Sequence, residues 1–185
     1  MLLHCLVKIF SQFAIKCLMH TFQKTISLDS DIESVYRLIS DIQKYHEFIP
    51  WCSASKIISR EVIERNEKSD AVILEKLVAD LNIGFGFITQ KYSSLVLLSP
   101  PRVIEDDQHG MVKYSVASVI AEVLESATIQ FLKTSWKLRE VSENNTEVDF
   151  HIEIELASKT FSVMLSKLFP GLCDKMVEAF SKRLF

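Results

Sequence analysis

Residues 41–52 read DIQKYHEFIPWC, and within this stretch a short helical segment must give way to a strand. Pro50 lacks a backbone N–H and biases the residue before it away from helical angles, so we expect a helical turn over 44–49 to end there. Phe48 and Trp51 flank the proline. Because tryptophan suits a boundary between an apolar space and water, we interpret the segment as the mouth of a cavity, with a packed helix-to-strand corner as the alternative.

A capped helix is predicted just before this stretch. Ser30 and Glu33 have the spacing of a capping box. Apolar or aromatic residues then recur at helical spacing, at Ile32, Val35, Tyr36 and Ile39. The pattern predicts a helix from about 31 to 40, and the β-branched residues before it favour an opening strand over 20–26.

The chain after Pro50 favours an antiparallel sheet. Extended stretches are predicted over 51–64, 71–85, 87–98, 111–120, 128–139 and 146–156. The last alternates most clearly, with Val148, Phe150, Ile152, Ile154 and Leu156 on one face and acidic residues or histidine on the other. We expect Pro100 and Pro101 to end the third stretch. The region 106–126 is interpreted as an insertion without an assigned role.

Helical periodicity returns after residue 157. The apolar stripe consists of Phe161, Leu165, Leu168, Leu172, Met176, Phe180 and Leu184. It predicts one long helix over 158–185, in which Pro170 and Gly171 should cause a kink or a division into two segments. The order β, α, α, six β, α predicts an α+β helix-grip fold, in which a curved antiparallel sheet wraps around the C-terminal helix with an apolar cavity between them.

Composition excludes several classes of function. The chain has 185 residues, 48% of them hydrophobic, and a net charge of −3, so no broad basic field is expected to attract nucleic acid. Its four cysteines show no metal-ligand spacing and no disulfide framework.

Signatures of serine hydrolases, zinc proteases and nucleotide-binding loops are absent from the sequence. His46 near the mouth is interpreted as a solvated rim residue, and the acidic residues within 147–155 as a solvent-facing row. We expect no catalytic residue and no metal site.

The first 28 residues contain no Asp or Glu, and their positive charges are Lys8, Lys16 and Lys24. This basic, amphipathic profile predicts a mitochondrial targeting segment over 1–19, followed by a single domain over 20–185. A secretory signal is the alternative, although Lys8 would interrupt its apolar core.

Several motifs occur in a specific order: Tyr45 followed by F-x-P-W-C at 48–52, A-x-L-x-x-G-F at 79–85, Y-x-S at 92–94, L-x-T-x-W at 132–136, and MVEAFSKR at 176–183. With these motifs the chain from residue 20 onwards resembles the coenzyme Q-binding protein family, a branch of the START-like, polyketide-cyclase-like superfamily. Gln90 stands where that family usually has glutamate.

The resemblance implies a carrier or chaperone that binds coenzyme Q (ubiquinone) or another polyprenyl lipid and uses no catalytic cofactor. It also implies support of respiration and quinone biosynthesis, from a peripheral position on the matrix side of the mitochondrial inner membrane, where quinone-biosynthesis proteins are candidate partners. Two alternatives stay open: a ribosome-associated protein like the related bacterial toxins, and a cyclase-type enzyme that uses the same cavity.

Trp136 is the residue that the resemblance assigns most directly to the quinone cavity. The full set of expected cavity and mouth residues is Phe48, Trp51, Leu77, Leu81, Ile83, Phe85, Tyr92, Leu132, Trp136, Phe150, Ile152, Phe161, Leu165, Met176 and Phe180.

Overall fold

The computed structural model describes residues 18–85, 88–106 and 112–184, with the side chains of 85, 88, 104–106 and 112–114 excepted. The predicted targeting segment, 1–19, therefore lies outside the described residues except for Leu18 and Met19. The predicted domain over 20–185 stays a prediction.

Seven antiparallel strands form one curved sheet with the order β1-β7-β6-β5-β4-β3-β2. The strands are β1 (Met19–Leu28), β2 (Cys52–Arg65), β3 (Val72–Phe85), β4 (Ile88–Asp106), β5 (Val112–Ser126), β6 (Ile129–Ser142) and β7 (Asn145–Leu156). The helices are α1 (Ile32–Ser40), a 3-10 turn (Ile42–Lys44), α2 (Tyr45–Phe48) and α3 (Lys159–Leu184). This arrangement confirms the predicted helix-grip fold. Among the described residues, no helix is long and apolar enough to cross a membrane.

Alternate residues of β7 are buried, as predicted, and they place one face of the sheet in the core. Val148 and Phe150 are fully buried, while Asp149 between them is exposed and accepts a hydrogen bond from Thr25 of β1. Glu147 on the outer face pairs with Arg139 of β6. The acidic row thus lies on the outer face of the sheet, as its period of two predicted.

The two prolines of β4 do not end the strand, contrary to the sequence prediction. The strand continues to Asp106, and its pairing with β5 shifts between Ser99 and Arg102, where the two prolines occur. A bulge accommodates residues that lack an N–H to donate, which explains why the strand tolerates them. Most of the region interpreted as an insertion, 112–126, is β5 itself, a central strand that pairs with both β4 and β6.

Helix α1 begins one residue later than the predicted capping box requires. Asp31 is the N-cap, and its Oδ1 accepts a hydrogen bond of 2.8 Å from the Ser34 N–H. Ser30 lies outside the helix, where its carbonyl accepts a hydrogen bond from the Thr146 hydroxyl. The predicted cap was therefore wrong by one position, because Asp and Ser are both good N-caps and the sequence offers them side by side.

Helix α3 runs as one element from Lys159 to Leu184 with Pro170 inside it, so the predicted division into two segments does not occur. Its buried positions are Ser162, Phe169, Cys173, Val177 and Phe180. Phe161 and Leu168, which were predicted to face the sheet, are 43% and 54% exposed. The face differs because Ser162 is small enough to approach β1, where its hydroxyl contacts the His20 ring and donates to the Leu18 carbonyl.

Candidate functional site

A cavity of about 160 Å³ lies between the inner face of the sheet and helix α3. This is roughly ten times the space that one water molecule needs. Its walls come from strands β2 to β7, from helix α3 and from the segment around α2. The residues that line it are Ile42, Tyr45, Ile49, Trp51, Cys52, Leu81, Ile83, Tyr92, Ser94, Val96, Val119, Ala121, Leu132, Thr134, Trp136, Ile152, Ile154, Leu165, Phe169, Leu172, Cys173, Met176 and Phe180.

The cavity wall carries no Asp, Glu, Lys, Arg or His among the described residues. Its side chains with titratable protons are Tyr45, Tyr92, Cys52 and Cys173. Burial raises the pKa of all four, and for Cys173 it raises the pKa to about 12, with the nearby Asp174 adding to the effect. All four groups are therefore neutral at physiological pH, which makes the cavity uncharged.

Trp136 stands on β6 at the packed side of the cavity. Its ring centroid lies 4.2 Å from that of Phe150 and 4.8 Å from that of Phe180, so strand β7 and helix α3 both hold it in place. Trp136 is 4% exposed. Such ring contacts fix the orientation of the indole and give this part of the wall a defined shape.

Most of the residues predicted to bind ligand are brought together around this cavity. Those on its wall are Trp51, Leu81, Ile83, Tyr92, Leu132, Trp136, Ile152, Leu165, Met176 and Phe180. They come from five elements and from the segment before β2, which shows that the inner faces were assigned correctly over most of the sheet.

The other predicted residues lie elsewhere. Leu77 and Phe150 are fully buried in the packed core and do not line the cavity. Phe161 borders an exposed groove instead of the cavity. Phe48 packs edge-on against Tyr45 and Phe180, at centroid distances of 5.9 and 5.0 Å. The Phe85 side chain lies outside the described side chains.

The segment 44–52 therefore combines the two interpretations that the sequence left open. Trp51 and Ile49 line the cavity, whereas Phe48 belongs to a packed corner that the Arg183–Glu47 ion pair closes from outside. The Tyr45 hydroxyl donates to the Ile39 carbonyl, which ties this corner to the end of α1.

Sequence reasoning missed several wall residues, notably Ser94 and Ala121 on the sheet and Phe169 and Cys173 on α3. The alternation of Tyr92, Ser94 and Val96 in β4 was a usable signal for the first of these. The helix residues were missed because the buried face of α3 is rotated by about one position from the predicted stripe.

An apolar groove of about 140 Å³ adjoins the cavity. The two share four wall residues: Ile83, Ile154, Leu165 and Leu172. The outer border of the groove is formed by Phe161, Met164 and Leu168 of α3, all of which are exposed.

Other candidate chemistry lies outside the cavity. The His46 ring is exposed and contacts the Gln43 carbonyl and the Ser55 hydroxyl, away from the cavity wall. Within the part of the chain that the structure describes, no group of three or more His, Cys, Asp or Glu residues is arranged to hold a metal ion.

Comparison with known proteins identifies relatives with different named roles. Ribosome association toxin RatA of Rickettsia prowazekii is 28% identical over 165 residues, which cover 89% of this chain and 96% of that protein. The mitochondrial coenzyme Q-binding protein of Schizosaccharomyces pombe is 25% identical over 146 residues, which cover 79% of this chain and 75% of that protein. Because both match at similar identity, the coenzyme Q-binding branch stays a prediction.

A solved structure with the same fold is the Zhui aromatase/cyclase of a Streptomyces species, with a TM-score of 0.62 over 90% of this chain and 94% of that chain. Its sequence identity of 10% supports the fold alone. Residues 28–181 match the family described as polyketide cyclase / dehydrase and lipid transport. Since this match spans most of the sequence, the chain belongs to the polyketide cyclase/dehydrase and lipid-transport family.

Proposed function

We propose that the protein binds a polyprenyl lipid of the coenzyme Q class in its cavity and acts as a carrier or chaperone for it. The observation that carries this proposal is an uncharged, largely apolar cavity with an apolar groove beside it. A long hydrocarbon chain with a small neutral head fits such a space. The relatives named for coenzyme Q binding make ubiquinone the leading candidate.

Burial of an isoprenoid chain supplies a sufficient driving force. Each CH₂-sized group removed from water stabilises the complex by about 0.8 kcal/mol, or roughly 3 kcal/mol or more for each five-carbon unit before ordering costs. Two or three buried units therefore favour tight binding without any ion pair.

A carrier without turnover is favoured over a cyclase-type enzyme. General acid–base catalysis near neutral pH needs a group whose pKa lies close to the working pH. The raised pKa values of the cavity tyrosines and cysteines move these groups away from that range. The proposed role is therefore to shield the lipid from water and to deliver it.

Lipid extraction from the purified protein followed by mass spectrometry tests this function. Two variants with the same new side chain make the test specific: Ala121→Phe fills the cavity, whereas Glu122→Phe adds the ring at an exposed position on the same strand. We expect a stoichiometric polyprenyl quinone in the wild type and in Glu122→Phe, and its loss in Ala121→Phe. A wild-type protein that carries and takes up no such lipid would rule the function out.

We also propose that the protein works at the matrix side of the mitochondrial inner membrane as a peripheral protein, in contact with quinone-biosynthesis proteins. The basic, acid-free composition of residues 1–28 and the mitochondrial relatives support this location. A reporter fused to the full chain is expected to enter mitochondria, and one that lacks residues 1–19 is expected to stay outside. Equal import of both would contradict the targeting proposal.

Ribosome association is the second candidate, because a relative with that name is 28% identical over nearly its whole length. The net charge of −3 disfavours binding to RNA phosphates. Salt-sensitive co-sedimentation with ribosomal particles, retained by the lipid-free Ala121→Phe variant, would favour this candidate over the carrier.

A further inference from the structure

The cavity and the groove adjoin each other across four shared wall residues, but their polar side chains differ in hydrogen bonding. In the groove, the Thr128 hydroxyl donates to the Gln90 side-chain oxygen at 2.7 Å. The Ser158 hydroxyl oxygen accepts a hydrogen bond from the Phe161 N–H at 3.4 Å. The two hydroxyls of the groove and the Gln90 side-chain oxygen thus form hydrogen bonds within the protein, and most of the remaining lining is hydrocarbon.

Four polar side chains of the cavity are different. Ser94 and Thr134, together with Tyr92 and Trp136, lie on the cavity wall, and none of them makes a side-chain hydrogen bond to another described residue. Ser94 is 3% exposed and Trp136 is 4% exposed. Among the described residues, no fully enclosed side-chain nitrogen or oxygen lacks a partner, so the polar atoms of these four side chains face the open space of the cavity, where an occupant can form hydrogen bonds with them.

The sheet register leaves room for such a partner. Ser94 and Thr134 lie on β4 and β6, on either side of β5. The residue of β5 opposite Thr134 is Ala121, and the residue opposite Ser94 is Val123, so the two hydroxyl-bearing residues are offset by one inward-facing row and the small Ala121 lies beside Thr134. Tyr92 stands two residues before Ser94, and Trp136 two residues after Thr134. Because β4 and β6 both run antiparallel to β5, Tyr92 and Trp136 lie towards opposite ends of the inner face, and Ser94 and Thr134 lie between them.

We propose that the bound lipid is oriented, with its oxygen-bearing head at the Ser94 and Thr134 hydroxyls and its hydrocarbon tail leaving through the groove bordered by Phe161, Met164 and Leu168. This inference rests on the proposed lipid-binding function and specifies the ligand further. The head must carry polar atoms that form hydrogen bonds with hydroxyls, and carbonyl or ether oxygens do so by accepting from them.

The head-group assignment is tested with the double variant Ser94→Ala/Thr134→Val, which removes both hydroxyls with little change in volume. The probes are a decyl-tailed ubiquinone analogue and squalene, a hydrocarbon without a head. Quinone binding is read from quenching of Trp51 and Trp136 fluorescence, and squalene binding from competition. We expect the variant to lose quinone affinity by on the order of ten-fold or more and to keep its squalene affinity.

Two controls separate lost hydrogen bonds from damage to the fold. Ser93→Ala removes a hydroxyl of the same strand that donates to Asp80 outside the cavity, and it should bind quinone like the wild type. Thr134→Ser keeps the hydroxyl and should also retain quinone affinity. Unchanged quinone affinity in the double variant would overturn the head-group assignment and show that water satisfies these side chains.

The tail assignment is tested with Leu168→Ser, with Val163→Ser as its matched control. Val163 is 59% exposed on the same helix but does not border the groove. Leu168→Ser should weaken binding of a polyprenyl-tailed ubiquinone and leave the decyl-tailed analogue nearly unaffected, whereas Val163→Ser should change neither. Equal weakening of both quinones would overturn the tail path. A wild-type protein that binds no quinone and no squalene would instead refute the proposed function itself.

Discussion

Trp136 is the residue at which fold and cavity depend on each other most directly. The indole is buried and packs on rings from β7 and α3, so its removal enlarges an existing cavity and breaks contacts with two elements. We expect Trp136→Ala to lower the free energy of unfolding by about 3–5 kcal/mol and Trp136→Phe to lower it by clearly less. Urea unfolding of the three proteins measures this. A loss below about 1 kcal/mol for Trp136→Ala would mean that the neighbouring rings close the gap.

The buried tyrosines make stability sensitive to alkaline pH. Burial raises the pKa of Tyr36 to about 12, with the Glu75 carboxylate adding to the effect, and burial also raises the pKa of Tyr45 and Tyr92. Unfolded tyrosine ionises near pH 10, so above that pH the unfolded state binds fewer protons than the folded state. The stabilisation is therefore complete below about pH 10 and is lost as the pH rises towards the folded-state pKa.

Urea unfolding at about pH 8 and about pH 11 checks this sign. The wild type should be less stable at the higher pH, and Tyr36→Phe should lose less between the two conditions because one raised pKa has been removed. The same loss in both proteins would show that Tyr36 does not contribute to the pH dependence.

The sequence predicted on which face of the sheet a side chain lies better than it predicted how far that side chain is from the cavity. A period of two correctly placed Leu132 and Trp136 on the inner face of β6 and Ile152 on that of β7. The same period also selected Phe150, which is fully buried away from the cavity wall. Alternation fixes the side of a sheet that a side chain occupies, but its distance from an unfilled space depends on the neighbouring strands and the helix above.

Among the elements, helix α1 offers the clearest test of a local signal. Asp31→Ala should lower the free energy of unfolding by about 0.5–2 kcal/mol, because the Ser34 N–H loses its cap acceptor. Asp31→Asn should lose much less, since asparagine is an equally good N-cap. Urea unfolding of both variants at neutral pH separates the lost cap from the lost charge.

The cap also predicts an acid dependence. Hydrogen bonds from Ser34, first from its hydroxyl and then from its backbone N–H, lower the pKa of Asp31. The contribution of the ionised cap is therefore present above the unfolded-state pKa of about 3.9 and is lost as the pH falls through the lower folded-state pKa. Asp31→Asn should show a weaker loss of stability in acid than the wild type, and an identical loss would contradict the assignment.

Helix α3 shows why an element can be predicted while its orientation cannot. Its length follows from apolar residues at helical spacing, but Leu and Phe occur on more than one face of its N-terminal half. The contact between Ser162 and His20 joins residues 142 positions apart and turns that face towards β1. A long-range contact of this kind leaves no local pattern, so the predicted stripe included Phe161 and Leu168, which are exposed.

At the scale of the whole molecule, the two sides of the cavity differ in how they are closed. On one side, Tyr45, Phe48 and Phe180 form a packed aromatic corner, and Arg183 and Glu47 pair outside it. On the other side, the apolar groove is bordered by exposed side chains of α3. The sequence suggested the corner as the mouth because Tyr45 and Phe48 lie close to Pro50 in the chain. The groove could not be recognised in this way, because its residues come from segments that are far apart in the sequence.

This difference predicts which side exchanges lipid with a membrane. Exposed Phe161, Met164 and Leu168 suit insertion into the apolar edge of a bilayer, and Lys159 and Lys167 on the same helix half suit anionic headgroups. We expect Leu168→Asp to slow quinone transfer from vesicles containing anionic lipid by on the order of ten-fold, because a carboxylate opposes insertion. Val163→Asp adds the same charge away from the groove and should slow transfer less.

Phe48→Ser provides the opposing test, because it opens the aromatic corner and leaves the groove intact. If the groove is the route, this variant should lose some stability but transfer quinone at nearly the wild-type rate once it is folded. Stopped-flow measurement of quinone transfer from vesicles to protein compares the three variants directly. Faster transfer in Phe48→Ser together with an unchanged rate in Leu168→Asp would assign the mouth to the corner, since only a barrier that lies on the path can alter the rate in this way.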